Sequence, residues 1–220
     1  MKVILSYPRS GNHLVRLFIE LLSEQPTLGC VENVKDIPIF MNQFPEEIPF
    51  HIESLQKYKE EELYRKFHTI PSEEPSELIL IVRNPREVLL RHLENKFRLE
   101  GWDGYNSYFN LIDYYNNFKG KKLLLFYEDI CRNKIKFVND LYEFLGFSKG
   151  AKRTYAIENL SKLFELSKLG KNRAWGGVNS NSVDYYYNKI KDTDKKKFDN
   201  YINDKMNTNK YTAIKEKYNL

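Results

Sequence analysis

Three short segments carry side chains whose types and spacing could do chemistry. Tyr7-Pro8-Arg9-Ser10-Gly11-Asn12-His13 joins an aliphatic run to an amphipathic one. A loop in that place turns backbone N–H groups and the positive end of a helix dipole toward whatever sits above it, and Arg9, Ser10 and Asn12 add side-chain donors, so the segment is a ready anion site. It is not the loop that grips nucleoside triphosphates, which needs two glycines five apart followed by Lys-Ser or Lys-Thr; here one glycine is present and no lysine follows it. Alone, it also reads as an ordinary strand-to-helix turn built on a glycine. In Arg83-Asn84-Pro85-Arg86-Glu87 an arginine stands between an apolar run and a helix start. It can fork onto phosphate oxygens there, or pair with Glu87 at the surface. In Lys66-Phe67-His68 an amine and an imidazole stand two residues apart, on one face if the chain is extended. An imidazole titrates near neutral pH and can take a proton from a hydroxyl, although a lone histidine in a strand is more often a satisfied structural group.

These segments need a scaffold that brings them together. Residues 2–6 form a short β-branched and aliphatic run, and from Gly11 onward Leu14, Val15, Leu17, Phe18, Leu21 and Leu22 recur with helical spacing. Residues 25–50 hold Pro26, Pro38, Pro45 and Pro49 and show no period, yet Ile37, Ile39, Phe40, Met41 and Phe44 are too apolar to stay solvated, so an irregular covering segment is expected. Residues 53–64 read as helix and 65–70 as a short strand. Residues 77–82 are a continuous apolar run, expected to be a strand buried on both faces, and a helix starts at Pro85 and runs to about Phe97. Residues 121–127 read as another buried strand, followed by Glu128-Asp129 and a helix through Phe137, Leu141, Phe144 and Leu145 that ends at Gly146. Beyond Lys152 the pattern is helical, apart from a glycine-rich break at residues 170–182. The alternation predicts a single α/β domain: a parallel β-sheet flanked by helices on both faces, with a helical C-terminal part.

Composition agrees with a globular domain, since 41% hydrophobic and 15% aromatic residues within 220 suffice for a core and exclude a disordered or collagen-like chain. A net charge of +5 is too mild to announce nucleic-acid binding and fits a pocket for an anionic ligand. Lys195-Lys196-Lys197 lies among Asp192, Asp194 and Asp199, which reads as a solvated helix face. Cys30 and Cys131 are far apart and have no metal-type spacing, so neither a disulfide framework nor a zinc site is indicated and a reducing compartment is expected. The apolar start of the chain is too short for a signal peptide and no stretch approaches 18 apolar residues, so the expected location is cytoplasmic, with no membrane partner.

Tyr7-Pro8-Arg9-Ser10-Gly11-Asn12 before an amphipathic helix resembles the 5′-phosphosulfate loop of the sulfotransferases that use 3′-phosphoadenosine 5′-phosphosulfate (PAPS), whose usual form is Tyr-Pro-Lys/Arg-Ser-Gly-Thr/Asn-Thr-Trp. The likeness recurs in order along the chain. Ile81-Val82-Arg83-Asn84-Pro85-Arg86-Glu87-Val88 resembles the 3′-phosphate segment of that family, and Lys66-Phe67-His68-Thr69-Ile70-Pro71 is similar to its Lys-Thr-His-Leu-Pro strand end, whose histidine is the catalytic base. Tyr127-Glu128-Asp129-Ile130 looks like the strand end where a tyrosine approaches the adenine and the acidic pair is structural. Lys171-Asn172-Arg173-Ala174-Trp175-Gly176-Gly177 is similar to the late loop over the 3′-phosphate, and residues 193–206 resemble the penultimate helix.

The resemblance implies transfer of a sulfonate from PAPS to a hydroxyl or amine of a glycan or small-molecule acceptor, without a metal. Arg9 would meet the bridging oxygen, with Ser10, Gly11, Asn12 and His13 holding the 5′-phosphate. Lys66 would meet the sulfonate oxygens and His68 would be the base, His13, His51 and His92 being less well placed. Arg83, Arg91 and Arg173, with Gly176 nearby, would hold the 3′-phosphate, and Tyr127 would lie on the adenine side. Three departures stand out: Leu14 replaces the tryptophan that stacks on adenine, Arg91 replaces a serine, and Ala174 and Trp175 alter the late loop. A non-catalytic PAPS-binding or adenosine 3′,5′-bisphosphate-binding module and, on weaker grounds, a nucleotide kinase are the competing readings. Residues 25–64 and 102–118 are expected to choose the acceptor, and the sequence leaves the oligomeric state open.

Overall fold

The computed structural model describes residues 1–23, 25–29, 59–92, 104–147, 150–169 and 185–220. Among these residues four strands, β1 (Lys2–Ser6), β2 (Tyr64–Phe67), β3 (Glu77–Val82) and β4 (Lys121–Phe126), form one all-parallel sheet in the order β2-β1-β3-β4. Successive side chains of a strand point to opposite faces, and the sheet sorts them that way. Val3, Leu5, Leu78, Leu80 and Val82 belong to one core cluster; Ile4, Ile79, Ile81 and Leu125 belong to the other. The first face is covered by α2 (Pro85–His92), α3 (Gly104–Asn117), α8 (Asp192–Lys205) and α9 (Thr212–Tyr218). On the second lie α1 (Asn12–Ser23), α5 (Lys134–Phe144), α6 (Ala151–Glu158) and α7 (Leu160–Leu169), while the short α4 (Tyr127–Arg132) follows β4 directly. The expected parallel sheet with helices on both faces is therefore the architecture found.

The strand order puts the chemistry at one edge. The chain leaves β1 for β2 on one side and returns for β3 on the other, so the loops after β1 and β3 lie side by side at the carboxyl ends. That is the topological switch point, where open parallel sheets bind ligands.

Several boundaries differ from expectation. Within residues 53–64 only 59–64 are described, and they form a 3₁₀ turn, Glu60–Glu62, and the start of β2 rather than helix. Tyr64 is drawn into the sheet because its ring is buried and its hydroxyl bonds Glu77. β2 ends at Phe67, three residues early: beyond the Leu5–Phe67 pair the Ser6 carbonyl is taken by the His68 side chain rather than by a ladder N–H. Leu28, in the stretch expected to be irregular, pairs outside β2, its N–H donating to the Tyr64 carbonyl at 2.8 Å and its carbonyl accepting from Lys66 N at 2.9 Å. β4 is an edge strand with only Leu125 buried, and it ends at Phe126 because Tyr127 opens α4. The helix expected after Glu128-Asp129 and ending at Gly146 is divided at Asn133, whose side chain accepts from Lys136 N at 3.1 Å and caps α5. Of the helix expected to reach Phe97, the described part is α2.

Candidate active site

The loop after β1 is built from two left-handed residues. Arg9 has φ +73° and Gly11 has φ +95°, and Ser10 N donates to the Tyr7 carbonyl at 3.2 Å to close the turn. The Gly11 carbonyl then accepts from Leu14 N at 3.1 Å and Val15 N at 3.3 Å, which starts α1. The N–H groups ahead of those bonds emerge from the helix end, where its dipole is positive. Asn12 Nδ2 stands 3.4 Å from Ser6 Oγ. The Ser10 hydroxyl is fully buried and has no hydrogen-bond partner among the described residues. A buried hydroxyl without a partner is costly, which makes it a candidate for contact with a ligand atom.

At the adjoining end of β3, Arg83 is 3% exposed, so the surface pairing that its position beside Glu87 allowed is instead a buried one. Its Nη2 lies 3.5 Å from Glu87 Oε1, its Nη1 donates to the Arg9 carbonyl at 3.1 Å, and its guanidinium carbon stands 4.5 Å from the centre of the Tyr127 ring. Arg83 Nε is buried without a hydrogen-bond partner among the described residues, a second donor that an anion would satisfy. Asn84 caps α2 through Arg86 N at 2.9 Å, while its own N–H donates to Glu128 Oε1 at 3.1 Å and Tyr218 donates to Glu128 Oε2 at 2.5 Å. Asp129 pairs with Lys217. The acidic pair after β4 thus fastens α9 under the Arg83 segment, a structural use.

On the other side of β1, Lys66 lies in β2, nearly buried, and His68 just past its end. His68 Nδ1 is 2.7 Å from the Ser6 carbonyl. Because a carbonyl only accepts, Nδ1 carries a proton, so when the ring is neutral its lone pair is on Nε2. His13 sits among Arg16, Lys66, His68 and Arg9; burial first, then these charges, press its pKa from 6.5 down to about 3. It is a neutral imidazole over the working range of most enzymes.

The structure therefore brings Arg9, Ser10, Gly11, Asn12, His13, Lys66, His68, Arg83 and Tyr127 to the carboxyl ends of four neighbouring strands. Arg91 lies in α2; its side chain, like Arg173 and Gly176, falls outside the described residues. Leu14, at the departure from the family's tryptophan, is buried in the core and offers no face to a base. Tyr127 presses on Gly11, where an added Cβ would meet its ring at 2.4 Å, and carries Arg83 over the ring. Sequence reasoning missed Tyr108, whose hydroxyl donates to the Arg83 carbonyl at 2.9 Å; the Glu87 it offered as a surface partner of Arg83 is a buried counter-charge that also accepts from Tyr186 N at 3.2 Å. Tyr108 carried no signal beyond helical periodicity; for Glu87 the four-residue spacing from Arg83 was the available sign.

Among the described residues no group of three or more His, Cys, Asp or Glu could hold a metal ion, and no described helix is long and apolar enough to cross a membrane. A search of the curated proteins finds no match to the sequence. Among solved structures the chain is similar to a mouse sulfotransferase, SULT7A1, complexed with PAP, at 16% identity and a TM-score of 0.58, covering 99% of this chain and 87% of that one. It is also similar to a retinol dehydratase in complex with androsterone and the inactive cofactor PAP, at 14% identity and a TM-score of 0.55, covering 93% and 80%. At these identities the likeness establishes a shared fold. The model of the sulfotransferase domain family matches residues 2–210, nearly the whole chain, and with an anion loop and a buried arginine meeting at its switch point the chain belongs to that family.

Proposed function

We propose that the chain transfers a sulfonate from PAPS to a hydroxyl or amine of a small-molecule or glycan acceptor, with His68 as general base. The observation that carries this reading is the meeting of the Arg9–Asn12 loop and Arg83 at one switch point, with Lys66 and His68 on the adjoining strand. The Ser10 hydroxyl and Arg83 Nε, which have no hydrogen-bond partner among the described residues, are donors suited to phosphate oxygens. The two similar structures, both described with PAP, support the choice of donor, and the androsterone of the second supports a small hydroxylated acceptor.

In this reaction the acceptor oxygen forms a bond to sulfur while the bond from sulfur to the bridging phosphate oxygen breaks. The leaving oxygen gathers negative charge, and Arg9 with the N–H groups of Ser10 to His13 neutralises it. Lys66 meets the sulfonate oxygens. His68 Nε2 takes the acceptor's proton, its ring held in the right tautomer by the Ser6 carbonyl. Arg83, Arg91 and Arg173 read the 3′-phosphate, and positioning supplies the rest of the rate.

The test is calorimetric titration with adenosine 3′,5′-bisphosphate beside 5′-AMP and ATP. Tight binding that depends on the 3′-phosphate is expected, followed by transfer from PAPS in an acceptor screen. Binding of the bisphosphate no better than of 5′-AMP would remove the donor assignment, and tight binding without transfer to any acceptor would reduce the chain to a nucleotide-binding module.

A further inference from the structure

The anion loop contains two left-handed residues, and each is held from outside. Glycine takes such a conformation without penalty, but an arginine at φ +73° is strained and persists only where its surroundings over-determine it. The holder of Arg9 is Arg83, whose Nη1 donates to the Arg9 carbonyl at 3.1 Å. The holder of Gly11 is Tyr127, whose ring stands where any Cβ on Gly11 would fall, 2.4 Å from ring Cδ2. The two holders touch each other, since the Arg83 guanidinium carbon is 4.5 Å from the Tyr127 ring centre. Arg83 is itself fixed by Glu87 at 3.5 Å and, through its main chain, by Tyr108 at 2.9 Å. Its Nη1 and Nη2 thus face protein acceptors, and only Nε lacks one among the described residues.

We propose that Arg83, stacked on Tyr127, is a positioning residue for the anion loop: it holds Arg9 and Gly11 in their left-handed form independently of any 3′-phosphate. The inference rests on the reading of the loop as the 5′-phosphate site and gives Arg83 a second role there. A residue that only touched the 3′-phosphate would, when replaced, bring the bisphosphate down to the affinity of 5′-AMP and leave 5′-AMP unaffected. A residue that braces the loop lowers both.

The experiment titrates the full chain and its Arg83→Met variant with adenosine 3′,5′-bisphosphate and with 5′-AMP, with thermal unfolding recorded to show that each is folded. The variant should bind 5′-AMP about tenfold more weakly or worse, the scale of one lost hydrogen bond and a loop no longer preorganised. A folded Arg83→Met chain with unchanged 5′-AMP affinity overturns the proposal. Where Arg83→Met does not fold, Tyr127→Leu is titrated with inorganic pyrophosphate, which has neither adenine nor a 3′-phosphate; a loss of about fivefold or more supports the brace and unchanged affinity overturns it. A wild-type chain that binds the bisphosphate no better than 5′-AMP overturns the 3′-phosphate reading while the brace is still measured on 5′-AMP. One that binds none of the probes overturns both.

Discussion

The Nδ1 of His68 lies 2.7 Å from the main-chain carbonyl of Ser6, the last residue of the neighbouring strand. This one bond ends the β1–β2 ladder, orients the imidazole at the carboxyl edge of the sheet and fixes which nitrogen is basic. It makes the general-base assignment testable by tautomer as well as by deletion. His68→Ala should lower turnover with PAPS by about 10²-fold or more, the usual scale for a lost general base, while binding adenosine 3′,5′-bisphosphate as the wild type does. His68→Asn can imitate the Nδ1 donor but has no basic nitrogen, so it should be as slow as the alanine variant. Wild-type turnover in either would take His68 out of the reaction.

Gly11 supports a second prediction. Its φ of +95° disfavours every L side chain, and the Tyr127 ring leaves no room for a Cβ. Gly11→Ala should therefore cost about 1–3 kcal/mol of stability and weaken nucleotide binding, because relief comes by moving either the loop or Tyr127 away from Arg83. Denaturant titration and calorimetry read the two effects separately. A Gly11→Ala chain as stable as the wild type would mean that the loop has another conformation of similar energy.

These two residues also show what was legible in the sequence. β1 and β3 were legible because central parallel strands are apolar on both faces, and the anion loop because only a glycine and small polar residues fit between such a strand and a helix. The edges were not. β2 is four residues of mixed character, Tyr64-Arg65-Lys66-Phe67, and becomes a strand only by pairing with β1 and Leu28, contacts distant in sequence. At the site, charged residues near Arg83 were visible as types, but the tie from Arg83 to Arg9 crosses 74 residues and exists only once the switch point is formed. Leu14 read as a lost stacking residue, and the structure gives it another task, filling the core under α1.

The polar residues of α1 make a third prediction. Arg16 and Glu20, one turn apart on an apolar helix and both buried, converge on Thr27: Arg16 Nε donates to Thr27 Oγ1 at 2.7 Å and Nη2 to its carbonyl at 3.0 Å, while Thr27 N donates to Glu20 Oε1 at 3.0 Å and the hydroxyl also reaches that oxygen. The clamp seats Leu28 beside Lys66. Thr27→Val keeps the shape and removes the hydroxyl from between two buried ionisable groups, so it should destabilise by about 2 kcal/mol or more in urea titration, well above the cost of a surface Thr→Val change. A loss of only a few tenths of a kcal/mol would mean that Arg16 and Glu20 satisfy each other without Thr27.

Glu20 and His13 lie on the same helix and pull the pH dependence of stability in opposite directions. Burial raises the Glu20 carboxyl from 4.5 to about 7 despite Arg16 and the Thr27 bonds, so between those values the folded chain holds a proton that the unfolded chain has lost, and stability falls as pH rises. His13 is lowered from 6.5 to about 3, so between those values the unfolded chain holds the extra proton, and stability rises with pH. Each contributes up to about 1.4 kcal/mol per pH unit, and from pH 4.5 to 6.5 the two cancel. Urea denaturation across that window should therefore expose each one only when its counterpart is removed. Relative to the wild type, His13→Gln should make stability decline from pH 4.5 to 6.5, and Glu20→Gln, which keeps an oxygen to accept from Thr27, should make it climb. Identical pH slopes in both variants and the wild type would mean that neither group is shifted, and would return His13 to an ordinary histidine that titrates in the middle of the site.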